Sequence, residues 1–378
     1  MTIPRLHWHA KISQEFEIHP VCALLGPRQC GKTTLAKGYG KSIVHHYFDC
    51  ENPIHLARLE NPLFTFQNLE GLIIIDEVQL RPELFSVLRV IVDEDPTKKF
   101  LITGSASRDL IHQSSQTLAG RIGYHQITPF SIDEIDDWFL LWKRGVYPKS
   151  FLAKSSTLSM RWRDEYIKTF LERDLALLGF NMNVAIVSKL WRMLAHYHGQ
   201  VLNYAELSTA LSIDQRTLKR YLFALEGAFM ITLLKPWHSN TTKREVKSPK
   251  LYIRDTGLLH RLFQLHHDDI ENHPKLGASF EGFAIENIQR HFECFDNSYF
   301  WAIHASAELD LLMMHEGKKL GFEIKFTDRP SLTQSMRVSL DHLMLDHLYI
   351  VTPHAHYYQL NENVTVMGIN ALDKIVIV

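Results

Sequence analysis

Apolar positions in the first part of the chain come as short unbroken runs. Val21-Cys22-Ala23-Leu24-Leu25, Leu72-Ile73-Ile74-Ile75 and Phe100-Leu101-Ile102-Thr103 are the clearest, and Ile43-Val44-His45-His46-Tyr47-Phe48-Asp49 is a fourth, more polar candidate. Runs of this length predict strands buried on both faces of a parallel sheet. A helix opens at Thr33-Thr34-Leu35-Ala36-Lys37 and another helical stretch is expected around residues 52–69. Strands alternating with helices predict a three-layer α/β architecture with its chemistry at the carboxyl ends of the strands.

Beyond residue 132 the period changes. Trp162, Tyr166 and Phe170, with Ile167, Leu171, Leu175 and Leu178, recur at helical spacing, interrupted at Gly145-Val146-Tyr147-Pro148. This predicts a helical subdomain whose Trp162 and Tyr166 are core residues. Three helical segments follow, at 186–195, from Asn203 with Glu206 in a capping-box spacing, and at 215–225. An apolar strand over 229–237 and a basic, polar stretch from His238 to Lys247 complete that region. A His-rich connection leads to a helix at 277–287, strands at 299–302, 307–314 and 320–325, a helix near 334–337 and a strand at 348–351.

The 378 residues suffice for two or three domains, and Lys plus Arg (41) balances Asp plus Glu (42). A nucleic-acid partner would need a local basic patch, since no overall positive field attracts one. The four cysteines are scattered without a C-x-x-C pair. They are expected as reduced thiols in a cytoplasmic protein, outside any disulfide framework or zinc site. The histidines, 22 in all, stand singly and form no H-E-x-x-H pair, so they do not point to a metal. The amino terminus carries no apolar signal region, and no run approaches the ~20 apolar residues of a membrane span, so no membrane partner is expected.

Gly26-Pro27-Arg28-Gln29-Cys30-Gly31-Lys32-Thr33 fits G-x-x-x-x-G-K-[ST], between a predicted strand and a predicted helix. The two glycines let successive N–H groups face a β-phosphate, and the helix amino terminus that continues through Thr34 adds partial positive charge. ATP and Mg²⁺ are therefore the expected ligands, with Lys32 reaching the β- and γ-phosphates and Thr33 on the metal. Asp76 and Glu77 end a buried strand. Asp76 is placed to hold Mg²⁺ through water and Glu77 to orient and deprotonate the water that attacks the γ-phosphate. Ser105, following Phe100-Thr103, has two open readings, a γ-phosphate sensor or a turn hydroxyl.

These stretches, with Leu118-Ala119-Gly120-Arg121 and Ile127-Thr128-Pro129-Phe130, resemble the prokaryotic AAA-type ATP-binding proteins that carry a nuclease-like C-terminal domain of unassigned function. The resemblance implies an arginine supplied by a neighbouring subunit, hence a homo-oligomer, with Arg121 the first candidate and Arg108 the second. An ordinary helix-capping or ion-pair residue is the other reading of Arg121.

The middle region resembles a winged helix-turn-helix. Its third helix carries Gln215, Arg216, Lys219 and Arg220, and Lys243, Arg244, Lys247 and Lys250 are expected to add a basic wing. Such a surface fits DNA phosphates and base edges; a protein-contact module is the alternative. Further on, Asp310 and Glu323-Ile324-Lys325 resemble the Asp and Glu-x-Lys of PD-(D/E)xK nucleases. Residues two apart on a strand face one side, so Glu323 and Lys325 share a site in which carboxylates hold Mg²⁺ and the lysine acts on water. Glu281 is the expected third acid, with Glu286 its rival.

The expected organisation is an AAA-type P-loop ATPase core at 1–135, a helical lid at 136–182, a winged helix-turn-helix at 183–262 and a nuclease-like α/β domain at 263–378. The function expected is ATP hydrolysis coupled to DNA binding by the winged helix and to a metal-dependent nuclease-like domain. The alternative is an ATP-dependent switch or scaffold that binds protein partners and cuts nothing.

Overall fold

Five parallel strands form the first sheet of the computed structural model, which describes residues 3–105, 114, 116–177, 180, 182–238, 246–303 and 307–375. The strands are β1 (Val21–Gly26), β2 (His45–Asp49), β3 (Leu72–Asp76), β4 (Lys99–Ser105) and β5 (Ile122–Gln126), in the order β2-β3-β4-β1-β5. Every pairing is parallel. The unbroken apolar runs have their reason here: β1 and β3 are buried along their whole length, because apolar side chains cover both faces of the sheet. One face packs Ile73, Ile75, Phe100 and Ile102 against Leu88 and Ile91 of the helix Leu84–Glu94. The other packs Leu24, Ile74 and Leu101 with Leu35 of the helix Lys32–Gly40 and with Trp8 and Ile12 of the helix Leu6–Ile18.

The chain divides into two compact units, Met1–Pro129 and Phe130–Val378. In the second, the helices Val184–His196, Tyr204–Leu211 and Gln215–Gly227 pack through Leu190, Trp191, Leu207, Leu218 and Leu222. Polar side chains start them: Asn203 accepts from the Glu206 N–H and Asp214 from the Thr217 N–H, each satisfying an orphan donor of the first turn. Trp162 and Tyr166, on the helix Ser156–Thr169, pack into this same core.

A nine-stranded sheet spans the rest of the unit. Its strands are β6 (Gln200–Val201), β7 (Ile231–Pro236), β8 (Lys250–Ile253), β9 (Ser298–Ile303), β10 (Ala307–His315), β11 (Lys318–Ile324), β12 (His347–Thr352), β13 (Tyr357–Asn361) and β14 (Val364–Gly368). They run in the order β13-β14-β12-β11-β10-β9-β7-β8-β6. The hairpin after the three helices is thus joined to the carboxyl-terminal strands, through the register pairs Lys235↔Tyr299 and Pro236↔Phe300. The helices Leu276–His291 and Gln334–Leu343 complete this part of the unit. Leu178, Arg108, Lys243 and Arg244 lie outside the described residues.

Candidate functional site

In the first unit the loop between β1 and the helix Lys32–Gly40 is shaped by its backbone. Gly31 takes φ 103°, a left-handed conformation open to glycine, and caps the helix without a side chain, so its first-turn N–H groups remain available to an anion. Gly26 is forced by proximity: a Cβ there would stand 2.0 Å from the Ile127 carbonyl oxygen. Cys30 is buried and directs its thiol to that same carbonyl, 3.6 Å away. Pro27 is buried, Gln29 and Thr34 are exposed, and Arg28 reaches Glu51 at 3.3 Å. Lys32 folds its ammonium back over the loop, donating to the carbonyls of Gly26 (3.0 Å) and Pro27 (2.9 Å).

Asp76, at the carboxyl end of β3 and 3% exposed, is the centre of this site. It accepts from the hydroxyls of Thr33 (3.1 Å), Tyr47 (2.7 Å) and Thr103. Burial first, then the hydrogen bond and charge of Asp76, pushes the Tyr47 phenol well above its ordinary range, so it stays a donor. Glu77 follows in the left-handed region at φ 55°. The Gln79 amide donates to its carboxylate, and the Gln79 carbonyl oxygen accepts from the Ser105 N–H at 3.3 Å. Ser105 thus enters through its backbone. Thr33 and Asp76, already within one hydrogen bond, fit a Mg²⁺ ion, and the glycine-shaped loop with Lys32 fits a polyphosphate.

Arg121 is elsewhere. It precedes β5, and the pairing Val21↔Ile122 puts it at the amino edge of the sheet, a β1 length of about 16 Å from the loop. There it forms a two-pronged ion pair with Asp93, at 2.5 and 3.1 Å.

The second unit gathers Glu281, Asp310, Glu323 and Lys325 into one cluster. Asp310 sits beside an irregularity in the β9–β10 register and accepts from the Ile324 N–H at 2.9 Å, which ties it to the end of β11. Lys325 Nζ lies 2.7 Å from Glu323 Oε1, while the buried Glu323 Oε2 has no hydrogen-bond partner. Glu286, the rival acid, is occupied separately: Arg254 and Arg290 contact its carboxylate at 2.6 and 2.9 Å. Burial works against that charge, but the two guanidinium groups more than offset it and hold the Glu286 pKa below its ordinary value.

The pattern of charges along the chain did not reveal three members of this cluster, Lys250, Tyr252 and Glu308. Lys250, expected on an exposed basic wing, is 3% exposed. It alternates with Leu251 along a fully buried strand, so it and Tyr252, two residues on, both belong to the cluster side. Lys250 Nζ is 3.5 Å from Glu281 Oε1, 3.7 Å from Asp310 Oδ1 and in contact with Glu308. The Tyr252 hydroxyl donates to Glu281 at 2.5 Å. Burial lowers the Lys250 pKa, but Glu281, Asp310 and Glu308 outweigh it and raise it well above normal. Burial and the Asp310 charge raise the pKa values of both Glu281 and Glu323, against the lysines beside them. Among the described residues no group of three or more His, Cys, Asp or Glu is placed to hold a metal ion. As arranged, this cluster does not fit Mg²⁺, because an ammonium stands among the carboxylates.

Comparison with known proteins separates the two units. A family model described as "AAA domain" matches residues 19–136. Uncharacterized protein Rv2008c of Mycobacterium tuberculosis is 45% identical over 370 residues, 96% of this chain and 83% of that protein, and Mb2031c of Mycobacterium bovis matches equally. This chain belongs to their family. Its first unit is an AAA-type, ATPase-like domain. In this AAA-domain family member, residues 135–269 match a domain of unknown function (DUF8612) and 276–372 another (DUF4143), so Lys250 and Tyr252 come from one matched region and the carboxylates from the other. Among solved structures, the Walker-type ATPase PABY2304 of Pyrococcus abyssi has a TM-score of 0.45 at 16% identity, covering 70% of this chain and 96% of that one. AMPPCP-bound DnaA from Aquifex aeolicus has a TM-score of 0.32 at 14% identity, covering 59% and 88%. At that level neither bears on function. No helix among the described residues is long and apolar enough to cross a membrane.

Proposed function

We propose that the protein is an ATP-hydrolysing AAA-type switch, acting as a homo-oligomer and coupling nucleotide state to DNA contact by its winged-helix region. The observation that carries the reading is Asp76, held by three hydroxyls directly behind the Lys32 loop. Thr33 and Asp76 would hold Mg²⁺, which would neutralise phosphate charge when bound. The loop N–H groups and Lys32 bind and orient the polyphosphate. Glu77 takes the proton of the attacking water, and Gln79 ties that base to β4 at Ser105. The position of Arg121 at the sheet's amino edge supports a role only on a neighbouring subunit's nucleotide.

For DNA, Gln215, Arg216, Lys219 and Arg220 are exposed together at the start of the third helix, and Lys247 is exposed before β8. These residue types suit phosphates and base edges. Lys250 favours the second reading for the carboxyl-terminal part, a nuclease-like domain that stays catalytically silent while the switch acts on a partner. The test is phosphate release by the wild type, Lys32→Ala and Glu77→Gln, with and without DNA of followed length. Lys32→Ala should abolish turnover, and Glu77→Gln should retain ATP without releasing phosphate. Turnover that persists in Lys32→Ala removes the ATPase assignment. DNA that changes neither turnover nor its own length favours a protein partner.

A further inference from the structure

The cluster of the second unit carries its own cation. We infer that Lys250 is the built-in counter-ion of the Glu281, Glu308 and Asp310 carboxylates and keeps the site closed to divalent metal. This inference rests on the nuclease-like reading of that cluster and names its regulation.

Three observations converge. Lys250 is almost wholly buried, and its ammonium touches acids contributed by a helix (Glu281) and by β10 (Glu308 and Asp310). Its strand neighbour on the same side, Tyr252, donates to the Glu281 oxygen that Lys250 also faces. Below it lies the Phe300 ring, whose centroid is 5.6 Å from the ammonium and whose face favours a cation. Asp310 is buried and Glu281 largely so, and carboxylates withdrawn from water at this spacing require positive charge; here the chain supplies it from β8, with the exposed Glu308 as a third partner of the ammonium. A divalent ion entering among these acids must displace a fixed ammonium that is already hydrogen-bonded and desolvated, so its binding loses the neutralisation that a bare acidic cluster would offer. Glu323, with one carboxylate oxygen unpartnered, is the acid left with spare capacity once Lys250 is removed.

The test is Mn²⁺ titration of the full-length, nucleotide-free protein by calorimetry, comparing wild type, Lys250→Met, Lys250→Arg, Asp310→Asn and the double variant Lys250→Met/Asp310→Asn. Lys250→Met should bind one Mn²⁺ at least tenfold more tightly than wild type, and Asp310→Asn in that background should abolish the gain. Lys250→Arg, which keeps the charge, should bind no better than wild type. A folded Lys250→Met that gains no Mn²⁺ overturns the inference. So does a wild-type protein whose Mn²⁺ binding matches that of Lys250→Met and disappears in Asp310→Asn. Should circular dichroism show Lys250→Met unfolded, wild type against Asp310→Asn decides: equal, weak Mn²⁺ uptake supports the inference, and uptake lost on Asp310→Asn overturns it. Following DNA in the same samples separates this from the nuclease-like reading. Mn²⁺ uptake by Lys250→Met with no cutting leaves Lys250 as counter-ion and removes the nuclease assignment. Cutting by the wild type that needs Mn²⁺ and Asp310 does the reverse.

Discussion

Two acidic centres in this protein are built on opposite principles. In the first unit Asp76 is surrounded by the hydroxyls of Thr33, Tyr47 and Thr103, neutral donors that orient the carboxylate without cancelling its charge. In the second, Glu281, Glu308 and Asp310 converge on an ammonium, so the charge is cancelled from within. Neutral donors leave an acid with something to offer an incoming cation, whereas a fixed counter-ion spends that capacity on stability. The same side-chain type therefore reads as poised for a ligand in one place and as a closed network in the other.

The largest effect that would sharpen the contrast is at the subunit boundary proposed for the nucleotide site. Arg121→Ala should lower ATP turnover by about 10³-fold while leaving nucleotide binding intact, as read by phosphate release beside fluorescent-nucleotide binding. Unchanged turnover would return Arg121 to its surface pair with Asp93, worth little to stability. Next is the charge network: Lys250→Met in metal-free buffer should destabilise the second unit by about 3–5 kcal/mol, because it strands buried carboxylates, and Glu281→Gln in the same chain should recover part of that loss. Urea unfolding measures both. If Lys250→Met is neutral, the ammonium is not what neutralises the cluster.

Acid stability gives a third handle on the second unit. Burial pushes both His198 and His260 down to about 3. In the unfolded chain they titrate near the ordinary 6.5, so as pH falls the unfolded state takes protons first. Their contribution is complete above about pH 6.5 and is lost between there and about pH 3, at up to ~1.4 kcal/mol per pH unit for each histidine. The raised Glu281 and Glu323 carboxyls act in the opposite sense over the same range, so the histidine contribution is read as a difference: between pH 7.5 and 5 the urea midpoint of His260→Gln should fall less than that of the wild type. The smallest expected effect is Tyr47→Phe, which removes one of three donors to Asp76 and should cost the first unit about 1 kcal/mol, read from its thermal midpoint.

Much of the first unit could be read in advance, because a strand covered on both faces has no freedom to be polar, so β1, β3 and β4 announce themselves as unbroken runs. The loop from Gly26 to Thr33 and the Asp76-Glu77 pair were legible because their spacing is dictated by chemistry local to a few residues. Tyr47, Thr103 and Gln79 were not, since each meets Asp76 or Glu77 only through the sheet order β2-β3-β4 or a turn, and a lone tyrosine, threonine or glutamine carries no signal. The helix Leu6–Ile18 and the strands β5, β13 and β14 are likewise absent from the sequence expectations; β13 is exposed at every position, so no burial pattern marks it. Lys250 misleads in the sequence for an instructive reason. It follows a basic stretch and reads as part of it, whereas its apolar strand companions Leu251, Tyr252 and Ile253 belong to the core. Fully buried lysines are rare enough that only the fold reveals one.

The position of Lys250 in the chain has one more consequence. A chain emerging from the ribosome presents its amino-terminal parts first, and Lys250 precedes every acid it will meet. Glu281, Glu308 and Asp310 are each made after their counter-ion exists, so Glu281 and Asp310 need not be taken out of water before the ammonium is there to receive them. The cluster is assembled around a charge already in hand, and nascent chains that stop short of Glu281 carry a lysine awaiting its acids in place of a nest of repelling carboxylates.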